Sequence, residues 1–251
     1  MKKIKKIGLK NCLLWISLIG NVFLLSLVIY RGCIKTNYIN SKLERLGIMK
    51  NDPTKRGDYW CIIGWTNTLE KLHLDVDVVF FGNSITRGSC FDRYFPNVSI
   101  CNLGYSGDNT DGMLFRVKQI KTVNPEKVFV MAGINDLHVQ TIWTEQVFSD
   151  KYATMVDSIK QAVPTARIFL QSILPVNPFM KAGKTFNWDK IVKCNEIVRK
   201  IADQKGCVYV DLYRLYAVDG IMPKELTRDG VHLYPEAYDR WAEEIRLFIE
   251  E

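Results

Sequence analysis

Residues 76–88 read Val-Asp-Val-Val-Phe-Phe-Gly-Asn-Ser-Ile-Thr-Arg-Gly. The run Val76–Phe81 is rich in β-branched and aromatic residues, and a polar, glycine-bounded stretch follows it. That is the pattern of a strand buried on both faces, running into a loop. Working outward, the same kind of run recurs at Val98–Asn102, Lys127–Ala132, Arg167–Gln171 and Cys207–Asp211. Stretches with helical spacing alternate with them. One carries Phe148, Tyr152, Met155, Val156, Ile159 and Val163. Another carries Trp188, Ile191, Val192, Val198 and Ile201 and stops at Gly206. The last carries Tyr238, Trp241, Ala242, Ile245 and Phe248 behind Pro235. Apolar strands alternating with amphipathic helices predict a three-layer α/β/α domain with a five-stranded parallel sheet, over residues 59–251.

The 251 residues are 47% hydrophobic and 24% charged, the composition of a globular domain with a full-sized core. The net charge of +7 is concentrated at one end. Residues 1–31 hold Lys2, Lys3, Lys5, Lys6, Lys10 and Arg31 and no acid, which leaves 28 basic residues against 27 acidic ones elsewhere. A nucleic-acid groove needs a basic surplus on the folded domain itself, so that class of partner is disfavoured. The basic segment 1–10 leads into Asn11–Tyr30, twenty residues without a charge, long enough as a helix to cross a bilayer. No small-x-small cleavage site closes the run, which favours an uncleaved transmembrane signal-anchor over a processed leader. Cys33 after Gly32 gives a poor match to a lipoprotein processing site. The lysine asymmetry predicts a cytoplasmic N-terminus and an exported domain, tethered to the cell envelope through the polar residues 31–58. Among seven cysteines no C-x-x-C pair occurs, so neither a zinc site nor a dithiol motif is indicated, and burial as small apolar residues is the default for most of them.

In parallel sheets reactive groups gather beyond the carboxyl ends of the strands. After the first strand, Gly82-Asn83-Ser84 places a serine where a helix begins, among backbone N–H groups able to stabilise negative charge. After the second, Asn102–Thr110 contains Gly104 and Gly107, which permit a tight turn and close approach to a ligand. After the third, Gly133-Ile134-Asn135-Asp136 offers an asparagine side chain as an oxyanion donor. Before the final helix stands Asp229-Gly230-Val231-His232, with the carboxylate close enough to hold one ring nitrogen and leave the other as a base. Each block alone has a plainer reading as a cap or a turn. His73, at the end of a helix before the first strand, reads as structural. His138, Tyr105 and Asn177 are further candidates for the mouth of the site. No dinucleotide or P-loop glycine pattern occurs, nor the G-x-S-x-G elbow.

Ser, Gly, Asn and Asp-x-x-His in this order, at successive strand ends, resemble the SGNH/GDSL hydrolase family over roughly residues 75–248. Gly-Asn-Ser-Ile-Thr followed by Gly-Asp-Asn-Thr-Asp-Gly is similar to the branch of acylhydrolases like platelet-activating-factor acetylhydrolase subunits. The usual Gly-Asp-Ser reads Gly-Asn-Ser here; in the family that Asp is not the catalytic carboxylate. The resemblance implies the flavodoxin-like fold of that family and a serine esterase. Ser84 would be the nucleophile, His232 the base and Asp229 its orienting carboxylate. Ser84, Gly107 and Asn135 would form the oxyanion hole, and no metal or organic cofactor is called for. An exported, tethered enzyme without an evident lipid-binding lid fits removal of acetyl groups from carbohydrates. Lipid acyl chains, as lysophospholipid or thioester, are the alternative substrate. A non-catalytic glycan- or partner-binding module is the competing class, and the unbroken residue set speaks against it. A glycosidase would need a second carboxylate facing Asp229, and nothing singles one out.

Overall fold

The computed structural model describes residues 59–139, 141 and 143–251. The basic segment 1–10, the anchor expected over 11–30 and the tether over 31–58 all lie outside the described residues. No helix among the described residues is long and apolar enough to cross a membrane.

Five strands, β1 (Val78–Gly82), β2 (Ile100–Gly104), β3 (Lys127–Met131), β4 (Arg167–Gln171) and β5 (Val208–Val210), form one sheet in the order β2-β1-β3-β4-β5. All four pairings are parallel. Helices α1 (Tyr59–Leu72), α2 (Ser84–Arg87), α3 (Phe91–Tyr94), α4 (Thr110–Phe115) and α5 (Lys118–Lys121) belong to the first half of the domain. Helices α6 (Glu145–Ala162), α7 (Ile191–Lys205), α8 (Tyr213–Tyr216) and α9 (Tyr238–Glu250) belong to the second. The chain leaves β1 toward β2 on one side and then crosses back over β1 to β3 on the other. Right-handed crossovers therefore put the connections after β1 and after β2 on opposite faces, and a crevice opens at the carboxyl ends of β1 and β3.

Strand β1 lies inside the sheet, and Val78, Val79, Phe80 and Phe81 are all fully buried, which is why its sequence shows no polar alternation. Phe80, Phe129 and Phe169 occupy one register row and stack with centroids 5.1 and 4.4 Å apart. Phe91 on α3 extends the row at 4.3 Å from Phe80, and Trp241 of α9 meets Phe91 edge-on at 5.2 Å. Phe248 of α9 lies 5.3 Å from Phe169, so the last helix closes this face. Helices α4, α5, α6 and α7 cover the other, with α6 packed between α4 and α7. The expected parallel sheet between two helical layers is thus present, with β1 and β2 each displaced about two residues toward the C-terminus relative to the apolar runs.

Three sequence expectations need correction. Helix α7 starts at Ile191, and Trp188 sits in the 3-10 turn that leads into it, 42% exposed. Val192 is 52% exposed, because the buried stripe runs Ile191, Cys194, Val198 and Ile201 and Val192 falls off it. Among the described residues, four cysteines are as a group less buried than their type suggests. Cys90, Cys101, Cys194 and Cys207 are free thiols, and only Cys194 is fully buried.

Candidate active site

Ser84 is the first residue of α2, two positions beyond the end of β1. Asn83 caps the helix, its Oδ1 accepting from the Ile85 N–H at 2.9 Å, while its own side-chain N–H group is buried without a partner among the described residues. Tyr238 of α9 donates its hydroxyl to the Ile85 carbonyl at 2.7 Å, so the last helix holds the serine turn in place. Gly104 lets this turn sit against β2: a Cβ there would lie 2.2 Å from the Arg87 nitrogen.

The Asp229–His232 segment is a closed turn. Asp229 Oδ1 accepts from the Val231 and His232 N–H groups at 3.0 and 2.9 Å, and Thr227, fully buried, donates its hydroxyl to the His232 carbonyl. Asp229 Oδ2 is 2.7 Å from His232 Nδ1, and His232 Nε2 is 2.9 Å from Ser84 Oγ. Burial works to raise the Asp229 carboxyl, but the His232 backbone N–H, the ring and the Val231 N–H outweigh it and hold the group below its ordinary value. An ionised Asp229 can only accept, so Nδ1 carries the proton of a neutral ring. Nε2 is then left to accept from the serine hydroxyl.

Two further loops converge at the same edge. Gly107 is exposed with φ +76, a left-handed turn that a side chain would strain, and its added Cβ would meet nothing within 4 Å. Asn135 lies in a 3-10 turn after β3, and its side-chain N–H group donates to the Asp108 carbonyl at 2.7 Å. The next residue, Asp136, is buried and accepts from the Thr110 backbone N–H at 3.0 Å and hydroxyl at 2.5 Å. Burial pushes its carboxyl up to about 6 against the pull of those Thr110 hydrogen bonds. Residues 107–110 and 134–137 are thereby pinned to each other.

Of the remaining candidates, Tyr105 is half-buried, its N–H bound to the Gly82 carbonyl at 2.9 Å. His138 packs edge-on against Phe186 at 5.6 Å and bridges to it through the backbone. Both polar atoms of the Asn177 side chain have partners in the scaffold, Nδ2 donating to the Met222 carbonyl and Oδ1 accepting from the Phe179 N–H. Asn177 therefore shapes a loop, with the second N–H of its amide left over. That loop runs from the histidine turn (Asn177 N–H to Gly230 carbonyl, 2.8 Å; Ala182 N–H to Asp229 carbonyl, 3.0 Å) to the asparagine loop (Val139 N–H to Thr185 carbonyl, 2.8 Å). At its outer bend Phe179 is 75% exposed.

Sequence reasoning missed Arg116 and Asp108. Both side chains are almost fully buried, and Arg116 Nε donates to Asp108 Oδ2 at 2.5 Å. Arg116 is a lone charge in the apolar run Met113-Leu114-Phe115-Arg116-Val117, and that isolation is the one signal in the sequence that marked it.

A profile of the GDSL-like lipase/acylhydrolase family matches residues 80–240. The fold is similar to that of a GDSL-like lipase from Bacteroides thetaiotaomicron, at TM-score 0.65 and 25% identity over 75% of this chain and 97% of that one. It is also similar to that of an acetyl xylan esterase, at TM-score 0.58 and 20% identity over 69% of this chain and 99% of that one, a likeness of fold alone. An N-acylneuraminate cytidylyltransferase of Streptococcus agalactiae serotype V is 25% identical over 177 residues, 69% of this chain. The chain spans only 38% of the length of that curated relative. With the family profile covering the Ser84 turn, both intermediate loops and the His232 turn, the chain belongs to the GDSL-like lipase/acylhydrolase family.

Proposed function

We propose that this protein is a serine esterase that removes short acyl groups, acetyl above all, from carbohydrates. The observation that carries the mechanism is the continuous path from Ser84 Oγ to His232 Nε2 at 2.9 Å and from His232 Nδ1 to Asp229 Oδ2 at 2.7 Å. Ser84 Oγ attacks the ester carbonyl carbon while His232 takes its proton, and the carbonyl electron pair moves onto oxygen. That oxyanion is received by the N–H groups of Ser84 and Gly107 and by the Asn135 side-chain amide, whose second N–H remains for it. Collapse breaks the bond to the alcohol, which leaves with the proton from His232. Water then attacks the acyl-enzyme by the same route and releases the acid.

Three features support the carbohydrate side. Phe179 and Trp188 present aromatic rings to solvent on the segment fastened to the histidine turn, surfaces of the kind sugar rings stack on. One solved protein of similar fold is an acetyl xylan esterase. The curated relative is named for an acylated sugar. The charge and hydropathy of residues 1–30 support an uncleaved anchor with a cytoplasmic N-terminus. Residues 31–58 would then tether the catalytic domain, 59–251, outside the membrane.

The test is turnover of p-nitrophenyl esters from acetate to decanoate by the purified full chain and by Ser84→Ala, followed by acetylated glycans. Serine-dependent turnover that falls steeply beyond butyrate is expected. A preference for long chains moves the substrate to lipids, and turnover that survives Ser84→Ala overturns the mechanism.

A further inference from the structure

We propose that Arg116 is a positioning residue that sets the geometry of the oxyanion donors from beneath the site. The proposal rests on the serine-esterase reading above, and its argument is one of connectivity. The Arg116 guanidinium is 1% exposed and reaches three separate loops or strand ends. Its Nε donates to Asp108 Oδ2 at 2.5 Å, one Nη donates to the Leu103 carbonyl at 2.7 Å, and the other donates to the Gly82 carbonyl at 2.8 Å. The first Nη also reaches Gln119 Oε1 at 3.3 Å, and the plane lies over the Phe81 ring at 4.2 Å from its centroid.

These attachment points are the roots of the proposed donors. Gly82 lies two residues before Ser84, at the end of β1. Asp108 follows Gly107 directly, so fixing its side chain fixes the left-handed turn that aims the Gly107 N–H. The Asp108 carbonyl in turn receives the Asn135 amide at 2.7 Å, which sets the rotation of that side chain and hence the direction of its second N–H. One buried cation thus ties β1, β2 and the Gly107 turn, and through Asp108 the Asn135 side chain. A buried ion pair is weak grounds for stability, since two apolar residues of similar volume often serve as well. Apolar residues could not, however, hold three acceptors at fixed angles. The guanidinium can, because its donors form a rigid planar fork, and a lysine ammonium cannot span all three.

Arg116→Met, Arg116→Lys and the surface control Arg199→Met, each in the full chain, test this. The readouts are kcat and KM for p-nitrophenyl acetate, normalised to active sites titrated with a fluorophosphonate, and the NMR signal of the Asn135 side-chain amide. Loss of a well-aimed oxyanion donor costs about a hundredfold in kcat. Arg116→Met is expected to show that loss per titrated site with KM within about threefold, and a displaced Asn135 amide signal. Arg116→Lys should recover part of the kcat and Arg199→Met should match wild type. If Arg116→Met does not fold, the lysine variant carries the test, with a loss of roughly tenfold and the same displaced signal. A kcat per titrated site close to wild type, or an unmoved Asn135 signal, overturns the proposal. Absence of Ser84-dependent turnover in wild type would instead sink the esterase reading, and the Asn135 signal alone would then decide the role of Arg116.

Discussion

Each edge of the sheet carries a histidine, and the two surroundings differ in kind. At the amino edge, His73 closes α1 and lines a cleft with Asp75, Lys121, Asn124 and Thr165, where the ties are exposed ones such as Asn124 Nδ2 to Asp75 Oδ1 at 3.0 Å. At the carboxyl edge, His232 is fixed on both ring nitrogens, and Arg116, Asp108, Asp136 and Thr110, which tie the neighbouring loops together, are all buried. Among the described residues the charged side chains that are buried, Asp108, Arg116 and Asp136, gather at the carboxyl edge, where they hold particular groups in place.

The comparison breaks or sharpens under substitution. His232→Ala removes the proposed base, and kcat/KM on p-nitrophenyl acetate should fall by about four orders of magnitude, whereas His73→Ala should stay within about twofold. Equal losses at both would erase the distinction between the edges. Asn135→Ala should lower kcat about a hundredfold with little change in KM, because the donor acts on charge that develops only in the transition state. A rise in KM at constant kcat would instead make Asn135 a ground-state contact.

Asp136 gives a pH-dependent version of the same contrast. The folded protein holds its proton up to about pH 6, while the unfolded carboxyl releases it near 3.8. Between those values the native state binds more protons. The contribution of this group therefore makes the protein more stable as pH falls from 7 through 6 toward 4. Asp136→Asn keeps one of the two acceptor oxygens for Thr110 but cannot titrate. Urea denaturation should show the wild type gaining on that variant by roughly 1 kcal/mol per pH unit across the window. A constant difference would mean that Asp136 is not held protonated by burial. A small effect is expected at Asn83→Asp as well: either residue caps α2 well, so activity should remain within about threefold of wild type.

How much of this could be read from the chain follows from what kind of signal each part leaves. The strands were legible because full burial on two faces demands apolar runs, as in Val78–Phe81, and the reactive loops because a parallel sheet gathers its strand ends at one edge. Ser84, Asp229 and His232 could be paired in sequence only through the ordered blocks, since 148 positions separate Ser84 from His232. The Arg116 fork was illegible: its partners at Gly82, Leu103 and Asp108 are brought together by the crossover from β2 to β3, and no local spacing encodes that. Trp188 misled for the opposite reason, since its spacing suits α7 while the turn Trp188–Lys190 that leads into that helix is 3-10 and leaves the ring 42% exposed.

The central claim is that Ser84 is the nucleophile and is activated by His232. The most direct measurement is covalent labelling by a fluorophosphonate, with the modified residue located by mass spectrometry and the rate followed in wild type, His232→Ala and His73→Ala. The expected result is a single adduct on Ser84, formed at least about a thousandfold more slowly in His232→Ala and at the wild-type rate in His73→Ala. An adduct on another residue, or labelling of Ser84 indifferent to His232, would contradict it.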